Sequence, residues 1–398
     1  LHRAFFIETF TNDQLLTVND PEYELVAQLL DDPDIIIDHV DKDGFTALHE
    51  AAQSGHLPVV QLLVEKKFNV NASDKDGDTP AMRAASCNHL KVVQYLHQHG
   101  AVLADQVNAD GETIASVAAH SDCHRVLRYI AETDPRLVSS TTTSSEGKTT
   151  LMVAAAKGSI KSTQYILDKF PNDEVTAITK DGRSALHFAA ASGSKKVVEM
   201  ILKNHPDVNV KCSNGCTALH YAVDDILNPS VVNVLLASGA DATIKNDTDD
   251  LPVHYAATQG GWDNFSVLKK LIEIAEDQCE WLNEESGSCR TVLQIVTSHS
   301  NFTDYSLKMV ELFCARPELA LEPPRLGLVG GIPLLNLVEE LSKRTVYRPL
   351  PGGPLGPPTD AWRLLEAIKL LVGRGASVDF TNPKGDTALH ILCFGNLK

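Results

Sequence analysis

No stretch of this sequence approaches the roughly 20 consecutive apolar residues that cross a bilayer, and its opening residues do not read as a signal peptide. Basic charge is scarce: 35 Lys and Arg stand against 52 Asp and Glu, a formal net charge of −17. That balance disfavours non-specific binding to nucleic acid or to an anionic membrane, because neutralising phosphates takes a Lys/Arg surface. It favours solubility or a basic partner. Cysteine is sparse and irregular, at positions 87, 123, 212, 216, 279, 289, 314 and 393. A chain this long needs no covalent staples, so reduced thiols in the cytoplasm or nucleus are expected. The N-x-S/T sequons at Asn71, Asn246, Asn264 and Asn301 are then expected to go unused.

What the sequence has is repetition. Thr46-Ala-Leu-His49 returns as Ser184-Ala-Leu-His187, Thr217-Ala-Leu-His220 and Thr387-Ala-Leu-His390, with Pro252-Val-His254 as a looser copy. The Thr position falls at 46, 79, 113, 149, 184, 217, 251, 291, 332 and 387, with early intervals of 33 to 36 residues. A period of that size means stacked supersecondary units, a solenoid.

Each unit divides its labour between two helices. Pairs such as Ala51-Ala52, Ala84-Ala85, Ala118-Ala119, Ala154-Ala155 and Ala189-Ala190 give one helix a small-residue face that admits a close neighbour. The second helix carries bulk at helical spacing, as in Val59, Val60, Leu62 and Leu63, or Val92, Val93, Tyr95 and Leu96, and must face a neighbour to bury it. A glycine precedes most units (Gly44, Gly77, Gly111, Gly147, Gly182, Gly215, Gly385), as a turn with positive φ requires.

Asp41, Gly44, Thr46, Leu48-His49, Ala51-Ala52, Gly55-His56, Val59-Val60, Leu62-Leu63 and Val70-Asn71 together resemble the ankyrin repeat, most strongly from about 41 to 273. The resemblance implies an all-α ankyrin-repeat solenoid of about ten to eleven helix-turn-helix units with short β-turn fingers. It implies that His49, His187, His220, His254 and His390 bridge loop backbones and are structural. It also implies asparaginyl hydroxylation at Asn71 and Asn209, should the chain come from animal cytosol.

The expected organisation is a truncated, divergent first repeat at 1–40, regular repeats at 41–273, and divergent repeats at 274–398. The last section contains a Pro/Gly-rich insertion at about 342–360, and its final repeat is truncated. The chain opens without Met, at Leu1-His2-Arg3-Ala4, so it is expected to be a fragment of something longer. Within the insertion, Arg348, Pro351 and Pro354 match [R/K]-x-x-P-x-x-P, the ligand pattern of Src-homology-three domains; a plain loop explains the same composition.

Other motifs dissolve on inspection. Gly147-Lys148-Thr149 lacks the first glycine of a phosphate-binding loop, since Thr142 stands there. Cys212 and Cys216 have metal-ligand spacing but no second pair in register. His120, Cys123 and His124 read as a surface loop without a nearby carboxylate, and Phe188, Tyr221 and Tyr255 as core. No catalytic residue, cofactor or metal site is expected, and the chain reads as a non-enzyme.

Binding remains. By resemblance, the contact positions are the finger residues beside the turn and the pair after Ala-Ala. Across two later units they read Asn214, Asp224 and Asp225, then Asp247, Asp250, Thr258 and Gln259, with four carboxylates and no Lys or Arg. A basic peptide or protein face is the expected partner, and a solvated acidic surface is the plain alternative. The expected function is a protein-protein interaction scaffold in cytoplasmic signalling. The alternatives are the recognition region of a larger ubiquitin ligase or kinase, or the cytoplasmic domain of an ankyrin-repeat ion channel.

Overall fold

A computed structural model describes residues 21–32, 35–37, 39–104, 106–139, 146–224, 228–258, 262–274, 283, 285–286, 290–298, 303–316, 319–321, 332–345, 361–382 and 384–395. Their secondary structure is helical apart from isolated antiparallel bridges between Ile178 and Ser184 and between Thr381 and Thr387. The chain divides into two compact units, residues 1–207 and 208–398.

In the first unit the inner helices Ala47–Gln53, Pro80–Ser86, Ile114–His120, Thr150–Lys157 and Ala185–Ala191 stack in sequence order, each on the next. Their alanine pairs are the reason. Ala51, Ala52, Ala84, Ala85, Ala118, Ala119, Ala154 and Ala155 are all 0% exposed, and no longer side chain would let the backbones approach so closely. Outside them lie Leu57–Glu65, Leu90–Gln98, His124–Thr133, Ile160–Lys169 and Lys195–Leu202, again each on the next. Their stripes (Val60 and Leu63, Val93 and Leu96, Leu127 and Ile130) are fully buried, each side chain contributing about 1.5–3 kcal/mol. Pro21–Leu30 packs on the first outer helix.

The second unit repeats the arrangement. Its inner helices are Ala218–Asp224, Pro252–Thr258, Val292–Thr297, Pro333–Thr345 and Ala388–Gly395; its outer helices are Pro229–Ala237, Trp262–Ile274, Asp304–Cys314 and Ala361–Gly373. The longer intervals are absorbed partly by longer helices: Pro333–Thr345 continues through Ser342, where the insertion was expected to begin. Two further short helices, Arg136–Ser139 and Pro171–Thr176, occupy connections of the first unit. The second brings Glu174, 1% exposed, to accept a hydrogen bond from the Leu151 amide at 3.2 Å, which satisfies an otherwise orphaned donor at an inner-helix start.

Thr begins the unit because it caps it. The hydroxyls of Thr79, Thr113, Thr149 and Thr291 each accept from the amide three residues on, at 3.3–3.4 Å. Where His follows at that third position, its ring closes the cap from the other side. His49 Nδ1 accepts from the Thr46 amide at 3.1 Å, and His187, His220 and His254 do the same for Ser184, Thr217 and Leu251.

Candidate protein-binding surface

Among the described residues, eight units project a five-residue finger ahead of the inner helix. The amide of the first finger residue donates to the carbonyl of the fifth in 41–45, 74–78, 108–112, 179–183, 212–216, 246–250, 286–290 and 382–386, at 2.9–3.1 Å. At Asp41, Asp74, Asn108, Asn246 and Asn382, the side-chain oxygen of that first residue also accepts from the amides two and four residues on. Neighbouring fingers are joined by backbone bonds from Lys75 to Asp43, Ala109 to Asp76, Lys180 to Glu146 and Asp247 to Asn214, at 2.7–3.1 Å. The seven turn glycines expected from sequence all have φ between 70° and 86°. The finger at 246–250 has Asp249 in that place, at φ 57°.

The motif histidines reach between repeats. His49 Nε2 meets the carbonyls of Ala72 and Asp78, both at 3.1 Å, and His220 Nε2 meets that of Asp250 at 3.2 Å. Because Nδ1 accepts from an amide, the proton sits on Nε2, where it serves those carbonyls. Burial pushes the His49 ring below its ordinary value, which favours this neutral form.

In the second unit the fingers 212–216 and 246–250 bring several of the expected contact residues together. Asn214 and Asp247 are exposed, and Asp224 and Asp250 are half-buried. The Asp247 amide donates to Asn214 at 3.0 Å, and Asp250 accepts from the Thr248 hydroxyl at 2.8 Å. Tyr255 lies close to Asp224 and Asp250: its hydroxyl accepts from Asn246 Nδ2 at 3.0 Å. Burial, followed by the nearby Cys216 thiol and those two carboxylates, pushes its pKa up to about 12. Thr258 is exposed, but its hydroxyl is used on the Tyr255 carbonyl at 2.8 Å. Asp225, Gln259, Arg348, Pro351 and Pro354 lie outside the described residues.

Cys212 stands where other fingers carry Asp or Asn. Its thiol donates to Asn214 Oδ1 at 2.6 Å, while the Cys216 thiol, buried and pushed up by that burial, accepts from Asn246 Nδ2 at 3.7 Å. Both cysteines are part of the finger framework. Tyr221 and Tyr255 are half-buried, with Tyr221 Oη 3.7 Å from the Cys212 sulfur. They therefore lie against the fingers and not in the core, where only Phe188 of the three is buried. His120 does have a carboxylate, Glu112, at 3.5 Å, and Cys123 is 4% exposed, with its thiol donating to the Ser86 carbonyl.

On the finger face of the first unit several carboxylates are paired with arginine. Arg83 reaches Asp74 at 2.7 Å, Asp76 at 2.9 Å and Asp78 at 3.4 Å while lying 4.7 Å over Phe45. Arg183 likewise pairs with Asp181 at 2.6 Å and Glu146 at 3.3 Å, 4.7 Å over Phe188. Arg83 stands outside the expected contact positions, whereas Arg183 lies beside its turn glycine, at one of them. Arg83 pairs with the finger of its own unit, whereas the Arg183–Glu146 pair joins neighbouring fingers, which spacing within one repeat does not show.

The family model for ankyrin repeats in three copies matches residues 16–106 and 170–246. Those two segments carry ankyrin repeats. A Rickettsia felis ankyrin repeat protein is 37% identical over 81 residues, 18% of this chain and 34% of that protein, so the match spans about a third of the curated relative's length. Among solved structures, similarity is found to a complex of a predatory endopeptidase from Bdellovibrio bacteriovorus with an immunity protein (29% identity, TM-score 0.42, covering 50% of this chain and 99% of that one). It extends to the ankyrin repeat domain of Bcl-3, of the IκB family (27%, 0.43, covering 53% and 94%). The human ASB11 ankyrin repeat domain is similar at 20% identity, with TM-score 0.48, covering 57% and 97%.

Proposed function

We propose that the chain is a non-enzymatic scaffold that binds a protein partner with a basic surface on the finger face of its second unit. Ankyrin repeats are protein-protein interaction modules, and no helix among the described residues is long and apolar enough to cross a membrane. The observation that carries the reading is the arrangement of Asp247 and Asp250 on the finger 246–250, which is fixed to the finger 212–216 through the Asp247–Asn214 bond, with Asp224 at the end of the inner helix that follows that neighbouring finger. A surface held in place before binding loses little conformational entropy on association, and carboxylates there would steer and register Lys or Arg side chains. The reading assigns these residues no catalysis. Burial raises the pKa of both the Cys216 thiol and the Tyr255 phenol, the wrong direction for a nucleophile at neutral pH. Six cysteines free among the described residues support a reducing compartment, cytoplasm or nucleus.

The test is capture of partners on immobilised chain and on a variant with Asp224, Asp225, Asp247 and Asp250 changed to Lys, with circular dichroism confirming that the variant folds. Basic partners held by the parent chain and lost by the variant are the expected result; the same partners on both would contradict the reading.

A further inference from the structure

The outer helices of the first unit carry a feature opposite in sign to the chain as a whole. Lys91, Arg125, Lys161 and Lys196 occupy the second position of four successive outer helices, Leu90–Gln98, His124–Thr133, Ile160–Lys169 and Lys195–Leu202. Those helices pack each on the next, so the four cations form one row. All four are exposed, and among the described residues none has an ion-pair partner. The carboxylates on the same helices, Glu132, Asp168 and Glu199, stand further along; Asp168 accepts from Gln164 at 2.7 Å and Glu199 pairs with Lys195 at 3.5 Å.

Local stability does not account for the row. A cation in the first turn faces the positive end of the helix dipole and is disfavoured there. Placing one in four consecutive repeats of a chain with net charge −17 runs against both the local and the global preference, and such violations mark functional surface.

Beneath the row lies a second one. Tyr95, Tyr129 and Tyr165, each four residues after a row cation, are half-buried and fastened to their surroundings. Tyr95 stacks on His99 at 4.0 Å, the Tyr129 hydroxyl is 2.8 Å from His97 Nδ1, and Arg128 lies 5.8 Å over Tyr165. Tyrosine is enriched at protein-contact surfaces, and here it is held one helical turn from the exposed cations.

We propose that this outer face binds an extended acidic polypeptide segment. Packed helices lie about 8–10 Å apart, and three residues of chain in the extended polyproline II conformation advance about 9 Å and return to the same face, so acidic side chains at every third position would meet successive cations. The strongly negative charge of the whole chain repels long polyanions at a distance, which favours a short segment with local complementarity over nucleic acid.

The experiment uses the full chain and a labelled peptide of about twelve residues with glutamate at every third position. Binding is compared in the parent chain, in K91E/R125E/K161E/K196E, and in a control with four other exposed lysines reversed (Lys42, Lys157, Lys180, Lys203). Circular dichroism checks that both variants fold. The expected result is saturable binding that weakens with salt and falls about tenfold or more further in the row variant than in the control. Equal losses in the two variants, or no saturable binding to the parent chain, would overturn the proposal. So would tighter binding of a single-stranded oligonucleotide, which would give the row to a polyphosphate.

Discussion

His49 ties one repeat to the next through Asp78: its Nε2 lies 3.1 Å from the Asp78 carbonyl while its Nδ1 accepts from the Thr46 amide that starts its own helix. One ring satisfies a helix start and a neighbouring finger together, with 0% of the residue exposed.

His49→Ala should therefore leave the Thr46 amide and the Ala72 carbonyl without their partner in a void, with the Asp78 carbonyl keeping only the Asp74 amide, at a cost of about 2–4 kcal/mol. His49→Gln should cost distinctly less. Gln294 holds the equivalent place in a later repeat, where its Oε1 accepts from the Thr291 amide at 2.7 Å. Urea denaturation of the two variants decides it; equal destabilisation would contradict the assigned role.

Stability should rise with pH through the range where His49 titrates. Burial holds its pKa below the ordinary value near 6.5, so between the two values the unfolded chain binds more protons than the folded one. The contribution is fully present above about pH 6.5 and is lost as pH falls through the depressed folded value. His89, also lowered by burial, acts in the same direction. Denaturation midpoints measured from pH 7.5 to 5 should fall, and the fall should be shallower in His49→Gln; parallel curves would remove His49 from the explanation.

Two finger positions should respond oppositely to substitution. At Gly77, φ is 79° and a Cβ would stand 2.9 Å from the Ala109 amide nitrogen of the next finger, so Gly77→Ala should destabilise by about 1–3 kcal/mol. At Asp249 a non-glycine residue already holds φ 57°, and Asp249→Gly should be neutral or stabilising by up to about 1 kcal/mol. Thermal denaturation of both variants is the measurement, and a loss of stability in Asp249→Gly would show that the aspartate side chain matters more than its backbone.

These comparisons show where sequence was sufficient. The turn glycines, the Thr caps and the alanine face are set by geometry local to one repeat, so their spacing was readable. Asp249 was not, because only the finger's backbone conformation identifies it as the glycine equivalent. Cys212 and Cys216 had the spacing of metal ligands and proved to be finger framework, since their partners Asn214 and Asn246 are contributed by the fold. Tyr95 looked like core on periodicity and is half-buried at the surface, because the helix period does not say where a stripe ends. Of the expected contact residues, Asn214, Asp224, Asp247, Asp250 and Thr258 can be placed; that Thr258 turns its hydroxyl onto its own helix is a local bond no spacing announces.

Tyr305 should tolerate loss of its hydroxyl. The side chain is 2% exposed and its Oη finds no hydrogen-bond partner among the described residues, while burial pushes its pKa well upward. Removing an unsatisfied buried polar atom is neutral or favourable, so Tyr305→Phe should be at least as stable as the parent chain in thermal denaturation. A clear loss would mean that the hydroxyl is satisfied in solution.

Docking of a protein partner on the finger face of the second unit can be observed residue by residue. Its most direct test is amide hydrogen exchange on the full chain with and without a captured partner. Docking on that face should slow exchange chiefly in residues 212–224 and 246–258. Unchanged exchange there, with protection confined to other segments, would contradict it.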